Sequence, residues 1–317
     1  MNPENKNDLA RLIISCPDKK GIVSMVSTLL FENGANITES SQHSTFEENP
    51  QFFMRVVFEI KGLYDNKYHN DTNNTGKNNN AGGSGKGLNP VKKKLEGGLR
   101  KLASEMGMSY YISYLHKLKR MAIFVSEAGH CLNELLWLWK SGDIEAEIPI
   151  IISNHNDLKN IADFYKIPYF HVPVSSGGND NRASDDKILS LLAAEKIDFI
   201  VLARYMQVLS PRFLKSFGKK IINIHHSFLP SFPGAKPYEK AFERGVKIIG
   251  ATAHFVNEEL DGGPIIEQDI IRVDHDDDVR ELKRKGKIIE KIVLSRAVKW
   301  YAEDRIIEKG NKTIVFT

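Results

Sequence analysis

An asparagine, a histidine and a downstream aspartate combine the residue types that acyl-transfer chemistry needs. Asn223 and His225 are two positions apart, so on a β-strand both side chains project from one face. They follow the run 220–222, which is typical of a buried strand, and precede a loop rich in proline and glycine. Open α/β sheets bind ligands at the carboxyl ends of such strands. Asp261, in an Asp-Gly-Gly-Pro turn after the β-rich segment 251–256, could reach the same edge. An amide, an imidazole and a carboxylate can together polarise a carbonyl and transfer protons.

Three motifs in a fixed order give the chain a resemblance to a known family. They are Asn-Ile-His-His-Ser-Phe-Leu-Pro-Ser-Phe-Pro-Gly (223–234), Ile-Gly-Ala-Thr-Ala-His (249–254) and Leu-Asp-Gly-Gly-Pro-Ile-Ile-Glu-Gln (260–268). Over about residues 120–305 the chain resembles the folate-dependent formyltransferases, and among them the deformylase branch. The resemblance implies that Asn223 donates to an oxyanion and that His225 is an electrophilic or acid–base imidazole. It implies that Asp261 orients this site or removes a proton.

The resemblance also implies a folate-binding segment. Residues 202–211 resemble the family's pterin-binding hinge, whose backbone groups contact the heterocycle. The positions concerned are Arg204, Tyr205, Met206, Gln207, Val208 and Leu209. The alternative interpretation is an ordinary loop between a strand and a helix.

Two further histidines have more than one interpretation. His254 lies inside a predicted strand and could support Asp261 or the folate, or could pack in the core. His226 follows His225 and could tune the site or satisfy a buried backbone group, and both interpretations stay open. Asn223 and Asp261 could also make only local strand-end and turn hydrogen bonds, although the motifs favour catalysis.

The turn after the first strand of this region favours water as the formyl acceptor. Ribonucleotide transformylases have a Gly/Ser/Asn-rich loop there, whose amides hold a phosphate at a helix N-terminus. In this chain residues 125–132 retain one glycine, and Glu127 would repel a phosphate. The resemblance therefore implies hydrolysis of 10-formyltetrahydrofolate to tetrahydrofolate and formate, with the folate as substrate and no metal or redox cofactor. The alternatives are formyl transfer to another amine, such as methionyl-tRNA, or an amino-acid-binding protein whose catalytic half has decayed.

Residues 8–116 predict a separate N-terminal domain. Their pattern gives the order βαββαβ of a ferredoxin-like unit. The segment Cys-Pro-Asp-Lys-Lys-Gly-Ile-Val-Ser, followed by Gly-Ala-Asn-Ile, resembles an ACT domain, a regulatory module that often binds amino acids. The backbone amides of the turn Asp18–Gly21, which opens a helix, could receive a carboxylate, and Asn36 could bind the polar groups of an amino acid such as glycine or methionine, at a site expected between subunits. ACT-like sheets commonly associate side by side, which predicts a homo-oligomer.

The rest of the chain divides into a low-complexity insertion and an α/β domain. Residues 64–90 are rich in Asn, Gly and Lys and have almost nothing to bury, which predicts disorder. From 120 to 317, apolar strands alternate with helices, which predicts a doubly wound, mostly parallel, Rossmann-like sheet covered on both faces. The acidic run 274–278 has the composition of a metal cluster, but its adjacent residues point in too many directions, so helix capping is expected and no metal site is predicted.

Composition excludes several classes of protein. The chain has 317 residues, 41% of them hydrophobic, and no apolar run approaches ~20 residues, so no membrane-spanning helix is expected. A net charge of +4 without a dense basic face disfavours nucleic-acid binding. Cys16 and Cys131 are the only cysteines and lie in different predicted domains, so no disulfide framework is expected. The first residues show neither a secretory signal nor a convincing transit peptide. These features predict a cytoplasmic protein, with mitochondrial import left open.

Overall fold

The chain folds into two compact units, Met1–Lys117 and Leu118–Val315. The computed structural model describes residues 3–63, 89–174, 182–231 and 236–317. The predicted disordered insertion 64–90 lies almost entirely outside the described residues and stays a prediction. Among the described residues, no helix combines the length and the apolar character needed to cross a membrane.

The N-terminal unit is a four-stranded antiparallel sheet with two helices. After a 3-10 helix, Pro3–Asp8, its elements are β1 (Leu9–Pro17), α1 (Ile22–Glu32), β2 (Asn36–Ser44), β3 (Gln51–Glu59), α2 (Pro90–Met106) and β4 (Ser109–Tyr114). The strand order is β2-β3-β1-β4, so β2 is an edge strand. Helix α2 begins where Asn89 Oδ1 accepts from the Val91 amide at 2.9 Å, with Pro90 at the first helical position. Buried apolar side chains of α1 and α2, such as Val26 and Leu95, pack on the sheet. This is the predicted βαββαβ order.

The second unit is a seven-stranded sheet with helices on both faces. Its elements are β5 (Lys119–Val125), α3 (His130–Ser141), β6 (Ala146–Ser153), α4 (Lys159–Tyr165), β7 (Tyr169–His171), α5 (Arg182–Ala194), β8 (Phe199–Leu202), α6 (Pro211–Phe217), β9 (Ile221–His225), α7 (Pro237–Arg244), β10 (Ile248–Phe255), β11 (Ile265–Arg272) and α8 (Val279–Ala302). Two apolar cores lie on opposite faces of the sheet: α3, α4 and α8 contribute to one, α5 and α6 to the other. A hairpin, β12 (Ile306–Lys309) and β13 (Lys312–Val315), follows.

The strand order determines where a ligand can enter the sheet. The order is β11-β10-β9-β8-β5-β6-β7, and β10 is antiparallel to both of its neighbours. From β5 the chain builds β6 and β7 towards one edge, then returns to place β8 on the other side of β5. The carboxyl ends of β5 and β8 therefore flank the topological switch point, where doubly wound proteins bind their ligands.

Strand β11, helices α6 and α7 and the hairpin β12–β13 were not anticipated from the sequence. Helices α6 and α7 have seven and eight residues, which is too short for a clear helical periodicity, and each begins with a proline. The strands of the hairpin β12–β13 have only four residues each, which is too short for a clear strand pattern. The acidic run does cap a helix as expected, since Asp278 Oδ1 accepts from the Glu281 amide at 2.8 Å.

Candidate active site

Strand β9 holds Asn223 and His225 in a fixed register beside β10. Buried Ile221, Ile222 and Ile224 fix β9 in the core. The antiparallel pairing places His254 opposite Asn223 and Thr252 opposite His225. The side chains of Asn223, His225 and His254 therefore lie on the same face of the sheet, close to one another.

The loop between β10 and β11 brings Asp261 to this region by folding back. The amide of Val256 donates to Ile221 O at 2.9 Å, so the loop begins beside the first residue of β9 and reaches the carboxyl end of that strand by folding back. The turn needs glycine at Gly263, because a Cβ there would lie 1.8 Å from the Phe255 carbonyl oxygen. Asp261 itself has φ 56, a left-handed conformation that non-glycine residues adopt mainly where the surrounding structure imposes it.

The four predicted polar residues make direct contacts. Asp261 Oδ2 lies 3.2 Å from His225 Nδ1, and Asp261 Oδ1 lies 3.7 Å from His254 Nε2. Asn223 Nδ2 lies 3.2 Å from His254 Nε2. His254 Nδ1 lies 2.8 Å from the Phe255 carbonyl oxygen, which can only accept, so Nδ1 holds the proton and this bond fixes the ring. His254 thus lies next to both Asn223 and Asp261, and its supporting role stays a prediction.

The environment keeps Asp261 ionised. Burial raises its pKa, but hydrogen bonds and charge interactions with His225 and His254 outweigh burial and hold the pKa well below its ordinary value. An ionised carboxylate only accepts hydrogen bonds, so His225 donates to it through Nδ1–H. The other ring nitrogen, His225 Nε2, is buried and has no hydrogen-bond partner among the described residues.

The predicted hinge forms one wall of the same cavity. Arg204 to Leu209 line a space of about 490 Å³ together with Asn223, His225, His254 and Asp261. The Met206 amide donates to Ser126 Oγ at 3.0 Å, which anchors this loop to the end of β5. Tyr205 points into the core, where its ring packs against Phe124 at 5.4 Å and burial raises its pKa to about 12. The side chains of Met206 and Val208 are exposed.

A buried polar cluster next to this cavity was missed by the sequence analysis. Glu290 on α8 is 1% exposed, and it accepts from Tyr238 Oη at 2.5 Å and from His130 Nε2 at 2.8 Å. Arg204 Nε lies 3.4 Å from the same carboxylate. The ring of His226 lies between those of His225 and Tyr238, at 5.3 Å and 5.8 Å. A signal was present, because Glu290 occupies the apolar stripe of α8, where a carboxylate requires partners.

Donor atoms of His130, Cys131 and Glu290 lie within 4.8 Å of one another, which is close enough to hold a metal ion. Burial raises the pKa of the Cys131 thiol, so it stays protonated, whereas a metal needs the thiolate. The guanidinium of Arg204 already places a positive charge beside Glu290. The group therefore fits a hydrogen-bonded carboxylate better than a cation site.

The predicted regulatory residues lie at two ends of the N-terminal sheet. The Asp18 amide donates to Pro50 O at 2.9 Å, which places Asp18 and Gly21 beside the Gln51 end of β3. Asn36 pairs with Glu59 at the other end of that strand. Eight residues of strand span about 26 Å. Within one chain, therefore, these residues do not form a single amino-acid site.

The fold and the site together define the formyl transferase class, and the family model with the description formyl transferase matches residues 119–298. The ACT domain model matches residues 10–65. The chain is 45% identical to the formyltetrahydrofolate deformylase of Bacillus subtilis, over 99% of this chain and 95% of that protein. It is 37% identical to that of Escherichia coli K12, over 95% of each. It belongs to the formyltetrahydrofolate deformylase family.

Solved structures agree with this membership. A formyltetrahydrofolate deformylase from Pseudomonas syringae superposes with a TM-score of 0.84 at 39% identity, over 98% of this chain and 94% of that one. A glycinamide ribonucleotide transformylase from Symbiobacterium toebii superposes with a TM-score of 0.59 at 30% identity, over 63% of this chain and 95% of that one. The predicted fold, an ACT domain followed by a Rossmann-like formyltransferase domain, is confirmed.

Proposed function

We propose that this protein hydrolyses 10-formyltetrahydrofolate to tetrahydrofolate and formate. The observation that carries this proposal is the contact of Asp261 with His225 and His254, next to Asn223, in a cavity walled by the hinge Arg204–Leu209. Relatives of the same domain order, similar over nearly their whole length, bear the name of this activity.

In the proposed reaction His225 moves the proton. Because Asp261 is ionised and accepts from Nδ1–H, Nε2 of the neutral ring is free to take a proton from the attacking water. The hydroxide adds to the formyl carbon, and the oxyanion accepts from the Asn223 amide and from the new Nε2–H. Collapse breaks the bond from carbon to N10, and the same Nε2–H protonates the leaving nitrogen. A donor of the Asn223 type contributes on the order of 3 kcal/mol to such a transition state.

The remaining groups have supporting roles in this proposal. Backbone groups of residues 204–209 bind the pterin, while His254 accepts from the Asn223 amide through Nε2 and so orients it. The reaction transfers a formyl group to water without a change of oxidation state, so it requires no redox cofactor. The formate would supply purine synthesis and balance one-carbon pools. We place the enzyme in the cytoplasm, as its bacterial relatives and its two buried free cysteines suggest.

We further propose that an amino acid regulates the enzyme between two copies of the N-terminal unit. One small ligand cannot bridge about 26 Å, so a site built from the turn Asp18–Gly21, whose Asp18 amide is already bonded to Pro50 O, and from Asn36 must use two chains. Strand β2 is an edge, and Ser44 at its far end pairs with Phe52, close to Asp18. Antiparallel pairing of two β2 edges would bring Asn36 of the partner subunit towards Asp18. This arrangement requires a homo-oligomer.

The test is product release in water alone. Purified protein with 10-formyltetrahydrofolate should release formate and tetrahydrofolate in equal amounts, and glycinamide ribonucleotide should not accelerate the release. Asp261→Asn should lower kcat by about 10²–10⁴-fold, because the amide can donate to Nδ1 and so leave the proton on Nε2. Asp276→Asn, at an exposed acidic position, is the matched control. Saturable formylation of the ribonucleotide, or normal turnover in Asp261→Asn, would overturn the proposal.

A further inference from the structure

The switch point between β5 and β8 is filled by the chain's own side chains. His130 begins α3 directly after the turn that follows β5, and Arg204 follows β8. Glu290 reaches both, at 2.8 Å from His130 Nε2 and 3.4 Å from Arg204 Nε. In open α/β folds this crevice is where a ligand binds, and a helix N-terminus there favours an anion. Here the buried carboxylate of Glu290 supplies the negative charge.

Two local features make this filling possible. A Cβ at Gly286 would lie 2.0 Å from Tyr238 Oη, so glycine one turn before Glu290 lets the phenol reach the carboxylate. Arg204 has φ 66, a conformation that glycine adopts readily and arginine rarely, yet it presents a guanidinium to Glu290. Backbone strain of this kind often marks a functional site, and here it accompanies the burial of the Arg204 guanidinium beside Glu290.

The filled crevice adjoins the reacting groups. Arg204 and His226 line the cavity that contains His225 and Asp261. The ring of His226 lies 5.3 Å from that of His225 and 5.8 Å from that of Tyr238, so it contacts both the reacting imidazole and the cluster around Glu290. An acceptor larger than water that approached His225 from the switch point would therefore have to displace Arg204 or His226.

We propose that Arg204 and His226, held by Glu290 and Tyr238, determine acceptor specificity by closing the switch-point crevice to every formyl acceptor larger than water. This inference rests on the proposed hydrolysis and identifies the side chains that restrict the formyl acceptor to water. Opening the crevice would admit a small primary amine. Its nitrogen would attack the formyl carbon and lose a proton, the bond from carbon to N10 would break, and N10 would take a proton. The products would be an N-formyl amine and tetrahydrofolate.

The experiment measures partitioning between water and added amines. Wild type, Arg204→Gly and His226→Ala receive 10-formyltetrahydrofolate with hydroxylamine, methylamine or glycinamide, and mass spectrometry gives the ratio of N-formyl product to formate. The ratio does not depend on how much of a variant is active, and an enzyme-free blank is subtracted. Arg204→Gly suits its positive φ. Lys196→Gly, at an exposed residue with φ 50 on another loop, is the matched control for backbone relief.

We expect the N-formyl product of wild type and Lys196→Gly to stay at the level of the enzyme-free blank, and that of Arg204→Gly and His226→Ala to exceed this level at least about tenfold, decreasing as the amine grows. Ratios in both variants equal to wild type would overturn the inference, as would formylation of glycinamide by wild type. The proposed function is tested separately by wild type without any amine. If that sample releases no formate, the hydrolysis itself is wrong.

Discussion

His226 should make the catalytic unit less stable in mild acid, and His226→Asn should remove this effect. Burial, and then the charge of Arg204, lower the pKa of His226 from 6.5 to about 4, against the opposite influence of Glu290. Above pH 6.5 the ring is neutral in both states and contributes nothing. As the pH falls below 6.5 the unfolded chain binds a proton that the folded chain accepts only near pH 4, so stability is lost across this window.

The magnitude follows from these two pKa values. Proton linkage gives a loss of about 2 kcal/mol between pH 7 and pH 5, and about 3 kcal/mol once both states are protonated. Other groups titrate over the same range, so the informative quantity is the difference between wild type and His226→Asn at each pH. That difference should fall steadily towards pH 5.

Urea unfolding followed by tryptophan fluorescence measures this difference. Trp137, Trp139 and Trp300 are the only tryptophans, and all lie in the second unit, so the signal reports its unfolding. His275→Asn, at an exposed position, shows the effect of losing a surface histidine. A difference between wild type and His226→Asn that stays constant within about 0.5 kcal/mol from pH 7 to pH 5 would refute the buried, neutral environment inferred for His226.

Three further predictions concern other parts of the chain. Alanine at Asn223, His225 or Asp261 should each lower kcat by about 10²–10⁴-fold with little change in folate affinity, and steady-state kinetics of the double variants should show strongly non-additive losses. Deletion of residues 66–88 should leave kcat and Tm nearly unchanged in activity assays and thermal melts, because Tyr68, Ala81 and Leu88 are the only apolar side chains in that stretch. Glycine or methionine should change the rate of wild type through a coupling of roughly 1–3 kcal/mol, and Asn36→Ala should lose the response. No effect of any amino acid on rate or Tm would leave the ACT unit as an assembly surface only.

The sequence predicted the parts of the site that depend on local pattern. Period-two alternation places Asn223 and His225 on one face of β9, and the apolar residues around them make it a buried strand. Alternating strands and helices predicted the doubly wound sheet for the same reason. Such patterns arise within a few residues and need no knowledge of distant contacts.

The parts that the sequence did not predict depend on long-range packing. The motifs predicted that Asp261 could reach the edge that holds His225, but not its route: its loop starts at the amino end of β9 and folds back, which follows from the pairing register of β10. The contact of Tyr238 with Glu290 joins a helix of eight residues to one of 24, across a separation of 52 positions. Neither contact has a local signature, although a lone carboxylate in an apolar stripe indicated that some partner must exist.

The register of β9 separates chemistry from acceptor selection. Adjacent residues on a strand face opposite sides, so a slip of one residue would exchange His225 and His226 and place the wrong imidazole beside Asp261. Thr252, which pairs with His225, prevents this slip. Its hydroxyl donates to Ser227 O at 2.9 Å and accepts from the Leu229 amide at 3.0 Å. Thr252, on the antiparallel strand β10, thus fixes the backbone that follows His225 and His226. In the proposed reaction this keeps one imidazole against the carboxylate and the other against the closed crevice.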